Sequence, residues 1–145
     1  MGEVEKNPEK IDVPAGIPAR EISTLRLVLG CIVGISLVEI INFTIFKEDL
    51  GFRKLNPHPF FFVVCLFAVR YGVKAGLVSA ALCSLTFAAT VILTRTVLLF
   101  DFLKDPWSRV LMVSFFLAGG IFGSLRDRFV ASYTKLKILY EEALK

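Results

Sequence analysis

Asn56-Pro57-His58-Pro59, then the apolar run Phe60 to Val69, then Arg70-Tyr71-Gly72-Val73-Lys74-Ala75-Gly76 and a long uncharged stretch to Ala88, decide how this chain folds. Two apolar segments meet at a basic turn too short to hold a folded loop. The pattern predicts a helical hairpin that enters a membrane and returns, with Arg70 and Lys74 marking the side to which it comes back. Asn56 is expected to cap the entering helix, whose first turn tolerates Pro57 and Pro59 because the amides they lack have no intrahelical partner there. Its apolar body, Pro59 to Val69, covers only about 16 Å as a helix. It therefore crosses only if its ends snorkel or neighbours shield them.

Outward from the hairpin, the C-terminal partner is long enough on its own. Ala75 to Thr94 holds no charged residue and extends about 30 Å as a helix, the thickness of the hydrocarbon layer. Small residues recur at every fourth position, Gly72, Gly76, Ala80, Ser84 and Ala88, and place a low ridge on one face where another helix backbone can approach. Before the hairpin, Leu27 to Phe46 carries one ionisable residue, Glu39, and is also long enough to span. After it, Thr96 to Leu103 is apolar but short and suits the interface. Asp105 caps the next helix, Pro106 takes its first position, and Trp107 fits the aromatic belt.

The fold class expected is an all-α membrane protein, a four-transmembrane-helix bundle with a short second helix, continuing into a cytosolic coiled-coil-like helix. Its divisions are a disordered cytosolic tail over 1–22, a four-helix transmembrane module over 23–125 and a cytosolic connector helix over 126–145. Composition agrees: 55% of residues are hydrophobic and 14 are Phe, above the ~45–50% apolar content usual in soluble domains. The net charge of +4 comes from basic residues that flank apolar runs instead of lining a polar face, so nucleic acid is not an expected partner.

Those basic residues also set the orientation. With four spans, Lys6, Lys10, Arg20, Arg26, Arg70, Lys74, Arg126, Arg128, Lys135, Lys137 and Lys145 fall on one side, 11 of the 17 Lys and Arg. That asymmetry predicts four spans with both termini cytoplasmic. The first 26 residues have no apolar core of a cleavable signal. Cys31, Cys65 and Cys83 sit in apolar runs without a Cys-x-x-Cys pair or neighbouring His, and read as buried thiols, with no disulfide framework or zinc site.

Past the last span, Leu125, Phe129, Ser132, Leu136, Leu139 and Ala143 follow one another by four, three, four, three and four residues, the spacing of a coiled-coil seam. No Pro or Gly interrupts Leu125 to Lys145. The helix reads as a connector to further domains or partners; the competing reading is an amphipathic helix on the bilayer, with Arg126, Arg128, Lys135 and Lys137 snorkelling to phosphates.

Chemistry has few candidate residues. One His, no His-Glu-x-x-His, no Gly-x-Ser-x-Gly, no phosphate-binding glycine loop and no spaced carboxylate pair predict a protein that is not an enzyme and needs no cofactor or metal. Glu39, about 12 Å in from the outer end of its helix, is expected to form an intramembrane ion pair with Arg109; a proton relay or a site for a cationic ligand are the alternatives. His58 reads either as an interfacial residue or as a sensor of external pH. Phe60-Phe61-Phe62 reads as lipid-facing bulk. Gly30 with Gly34, and Gly119 with Gly123, are small-xxx-small pairs at matching depth, which predicts that the first and last spans touch or that each packs on a copy of itself.

Asn56-Pro-His-Pro-Phe60, Arg70-Tyr71-Gly72-Val73, Gly76-Leu77-Val78-Ser79-Ala80 and Phe116-Leu117-Ala118-Gly119-Gly120 leading into Arg126-Asp127-Arg128 together resemble the N-terminal membrane region of PelD-like proteins. That resemblance implies a bacterial inner-membrane location, four transmembrane helices ahead of a cytosolic GAF domain and a degenerate GGDEF domain that binds cyclic di-GMP, and association with a membrane complex that makes and exports an exopolysaccharide. The nucleotide-binding domains are absent from these 145 residues, so no such site carries over. What the resemblance implies here is an anchoring and assembly role, with membrane lipid, a second copy or the membrane subunits of a polysaccharide synthase complex as partners. The rival functions are a ligand-sensing input module of a histidine kinase or diguanylate cyclase and a small transport subunit; the latter lacks an interrupted helix pair in matching halves.

Overall fold

The computed structural model describes residues 23–46, 52, 55–95 and 99–144. The expected tail over 1–22, the loop after Phe46 apart from Phe52, and the start of the interfacial segment at Thr96 lie outside those residues. Five helices follow in order, α1 Thr24–Ile45, α2 Phe60–Tyr71, α3 Val73–Arg95, α4 Leu99–Lys104 and α5 Pro106–Ala143, and no strand occurs among the described residues. α1, α3 and α5 are each long and apolar enough to cross a membrane. α2 has 12 residues, about 18 Å of helix.

Local chemistry explains the boundaries. Ser23 begins α1 by accepting from the Arg26 amide at 3.4 Å. Asp105 begins α5, its carboxylate accepting from the Ser108 amide at 3.1 Å and the Ser108 hydroxyl at 2.7 Å, with Pro106 in the first turn. At α2 the expected cap is displaced. Asn56 stands four residues before Phe60, Pro59 occupies the N-cap position without a side-chain bond, and the imidazole Nδ1 of His58 accepts from the Phe60 amide at 3.3 Å. The two prolines fix a turn that swings His58 back over the helix start, so the ring takes the place assigned to the asparagine.

The hairpin is tighter than any loop. Gly72 alone separates α2 from α3, at φ +90, a backbone conformation that side chains with a Cβ rarely adopt. Its amide donates to the Ala68 carbonyl at 2.8 Å and its carbonyl accepts from the Gly76 amide at 3.0 Å. α2 and α3 therefore run antiparallel, with Phe60 opposite Cys83. α5 lies across both, antiparallel to α3, and α1 lies against α2 and α3 on another side.

Most of the core is shared by α2, α3, α4 and α5: Phe60, Val64, Cys83, Phe87, Phe102 and Phe115 are buried together. The phenylalanine triplet is split by the helical period. Phe60 is in the core, Phe61 packs on Phe115 with ring centroids 5.1 Å apart, and only Phe62 is exposed. A smaller cluster, Leu27, Cys31 and Ala75 with Phe67 and Tyr71 against it, fastens α1.

Candidate functional site

Three groups of residues carry the structure's specific chemistry: a polar cluster between α1 and α3, a glycine-lined junction where α5 passes the α2–α3 turn, and the length of α5 beyond that junction.

Glu39 belongs to the first. One carboxylate oxygen accepts from the Thr90 hydroxyl of α3 at 2.8 Å, and the other accepts from the Asn42 side-chain amide one turn along α1 at 3.2 Å. Thr90 is buried and Asn42 is wholly buried. The expected pairing with Arg109 is not made: the guanidinium donates instead to the Lys104 carbonyl at 3.4 Å, and α1 and α5 do not meet. The hairpin stands between them, which is why matching depth did not translate into contact. Neutral donors thus hold a carboxyl group whose charged form costs at least ~2.5–3.5 kcal/mol at mid-bilayer. Among the described residues the carbonyl oxygen of the Asn42 side chain has no hydrogen-bond partner, a further cost of about 1–3 kcal/mol for a buried polar atom.

His58 lies at the same end of the bundle as Glu39, opposite the α2–α3 turn. It is buried, with its ring centroid 5.9 Å from that of Phe52, 5.1 Å from Phe60, 5.3 Å from Phe87 and 5.5 Å from Phe115. It ties the start of α2 to α3 and α5 in place of sitting at an open interface. No sequence spacing announces this box, because its rings come from four separate segments.

At the turn end the small residues meet in pairs. Gly76 and Gly119 face each other, and a methyl group on either would stand 2.5 Å from the other's carbonyl oxygen. Gly123 lies equally close to the Val73 backbone. Ala80 and Ser84 continue the ridge and are buried, and Ala88 is half-buried. Gly72, placed on the ridge by its spacing, is instead the turn residue outside α3, and at Gly76 the ridge meets both α5 and Ala68 of α2. Gly30 and Gly34 contact side chains of α2, Phe67 and Val63 respectively, so the first and last helices are each occupied by the hairpin and do not touch.

Asp127 completes this junction. Its Oδ2 accepts from the Val73 amide at 3.0 Å, capping α3 from a different helix, while its Oδ1 pairs with Arg126 at 3.0 Å. Negative charge is favourable at a helix N-terminus, where amides lack intrahelical acceptors. Arg70 stacks beside Tyr71 on the same turn, 5.4 Å from the ring centroid. In the sequence, Asp127 stands out only as an acid between two arginines; its target is 54 positions away.

α5 continues without interruption from the bundle to Ala143. Every residue of the proposed seam, Leu125, Phe129, Ser132, Leu136, Leu139 and Ala143, is exposed, Phe129 by 79% and Leu136 by 70%. The described side-chain contacts do not cover this face. Lys137 forms an exposed pair with Glu141 at 3.9 Å, of little energetic weight. No group of three or more His, Cys, Asp or Glu able to hold a metal occurs among the described residues. Comparison with protein-family models, curated proteins and solved structures finds no match to this chain.

Proposed function

We propose that the chain is a non-enzymatic anchoring and assembly module of the bacterial inner membrane. In this reading it crosses four times, α2 serving as the shortened second crossing, and both termini are cytoplasmic. One observation carries it: α5 is a single helix of 38 residues, clamped to the α2–α3 turn by Asp127 and exposing a heptad-spaced apolar face beyond. A helix embedded at one end and apolar at the other transmits position and orientation rigidly to whatever grips it. The resemblance to PelD-like membrane regions makes the gripping partner a second copy or the membrane subunits of an exopolysaccharide synthase complex under cyclic di-GMP control.

The antiparallel order of α1, α2, α3 and α5 supports four crossings, since each successive helix reverses direction. A sensing input module is the second reading, favoured by the polar cluster at Glu39. The test is twofold. Single cysteines at Thr24 and Ala143, in a chain whose three cysteines are replaced, are expected to react with an impermeant maleimide only from the cytoplasmic face. The chain is expected to copurify with a copy of itself or with synthase subunits, and Leu136→Asp with Leu139→Asp to abolish this without unfolding the bundle. Termini on opposite faces, or a strict monomer without such partners, would reject the proposal.

A further inference from the structure

Beyond the bundle, α5 repeats an apolar seam in which Leu125, Ser132 and Leu139 alternate with Phe129, Leu136 and Ala143, all of them exposed. The seam fixes which residues stand on its flanks. Arg128 and Lys135 lie on one edge, each just before a seam residue, and Tyr133 and Tyr140 lie on the other, each just after one; all four are exposed. In two parallel helices that share such a seam, the first edge of one helix reaches the residue five positions later on the second edge of the other. Arg128 is then set against Tyr133 of the second helix, and Lys135 against Tyr140. Both are pairs of a cation with an aromatic face. Within one helix the same residues do not meet, because five positions carry them to opposite edges of the seam.

We propose that the part of α5 beyond the bundle pairs with the same segment of a second copy of this chain, as a parallel, in-register, two-stranded coiled coil. The inference rests on the anchoring role, which places both copies in one membrane with α5 leaving on the same side, so the two segments run parallel. Ser132 fits a copy of itself. In register the two hydroxyls meet and exchange a hydrogen bond, whereas an apolar surface offers the hydroxyl no partner across the seam. The seam over 125–143 is short of the ~3–4 heptads that sustain a free coiled coil. Here α5 already begins at Pro106 within the bundle, so the unfavourable first turn does not have to be formed again. Exposed Leu117 and Ile121, one turn apart ahead of Leu125, extend the apolar face into the membrane-spanning part. No Pro or Gly after Leu125 offers a kink by which the segment could fold down onto the bilayer.

The full chain in proteoliposomes at low protein-to-lipid ratio tests it, with copper-phenanthroline in air as the oxidant. Two thiols give up two protons and two electrons to form one disulfide, and oxygen accepts them. The wild type measures the background from Cys31, Cys65 and Cys83. Ser132→Cys is expected to yield a disulfide-linked dimer at least tenfold faster than Thr134→Cys, which sits on the opposite face of the helix. Adding Tyr140→Lys to Ser132→Cys sets a second cation against Lys135 of the other copy and is expected to slow the linkage at least fivefold. Adding Lys135→Glu as well restores it, because the pair becomes opposite in charge. Equal rates at positions 132 and 134, no dimer above the background, or a rate indifferent to the changes at Tyr140 and Lys135 would overturn the proposal. Self-pairing and anchoring fail separately. If Ser132→Cys gives no dimer while Leu136→Asp with Leu139→Asp still releases a copurifying membrane protein, self-pairing is wrong and anchoring stands; a monomer with no partner ends both.

Discussion

α1 and α3 are alike on paper and different in place. Each has a span-length apolar stretch and small residues four apart, yet α3 is the centre of the bundle, packed on α1, α2, α4 and α5, while α1 touches only the hairpin. The difference lies in what each glycine meets. Gly76 of α3 meets the backbone of Gly119, and backbone cannot yield. Gly30 of α1 meets the end of the Phe67 ring, 3.2 Å from an added methyl group, and a ring end can turn aside. Small-residue spacing thus reports that close approach is possible; the hardness of the surface opposite decides how much depends on it.

Substitutions rank the two helices. Gly76→Leu is expected to cost about 3 kcal/mol or more, because the α3–α5 contact must open; thermal melting in detergent would show most of the cooperative transition lost. Gly72→Ala comes next, at roughly 1–3 kcal/mol, since alanine resists φ +90 and its methyl would meet the Asp127 carboxylate. Asp127→Ala removes the cap on Val73 and is expected to cost about 1 kcal/mol; the sharper readout is increased amide exchange at Val73, with Asp127→Asn retaining part of the protection. Gly30→Ala is expected to change the melting free energy by less than ~1 kcal/mol, the gain from a stiffer unfolded chain offsetting the displaced ring. Should Gly30→Leu prove as damaging as Gly76→Leu, the distinction between a peripheral and a central helix would fail.

The same contrast shows what could be read in advance. Asp105, Pro106 and the uncharged run after Ala75 fixed two helices closely because capping and hydrophobic length act locally. Small-residue spacing pointed to close approach at Gly76, where the α5 backbone lies against α3, while Gly72 became the turn. Partner identity was not legible. Glu39 was matched to Arg109 by depth alone, and depth says nothing about which helix stands between two others. Asn56 was expected to cap because asparagine accepts well at helix starts; between its two prolines the imidazole of His58 accepts from the Phe60 amide instead.

Amino-acid order alone determined the helices and their polarity: where apolar runs begin and end, where a proline or glycine stops them, and that the chain reverses between Arg70 and Gly76. Tertiary structure decided the pairings, namely Glu39 with Thr90, Asp127 with Val73, Gly76 with Gly119 and His58 inside its ring of phenylalanines. The reason is that hydrogen-bonding need and side-chain volume are properties of single residues and their near neighbours. Which donor or surface satisfies them depends on how helices many residues apart come to lie side by side.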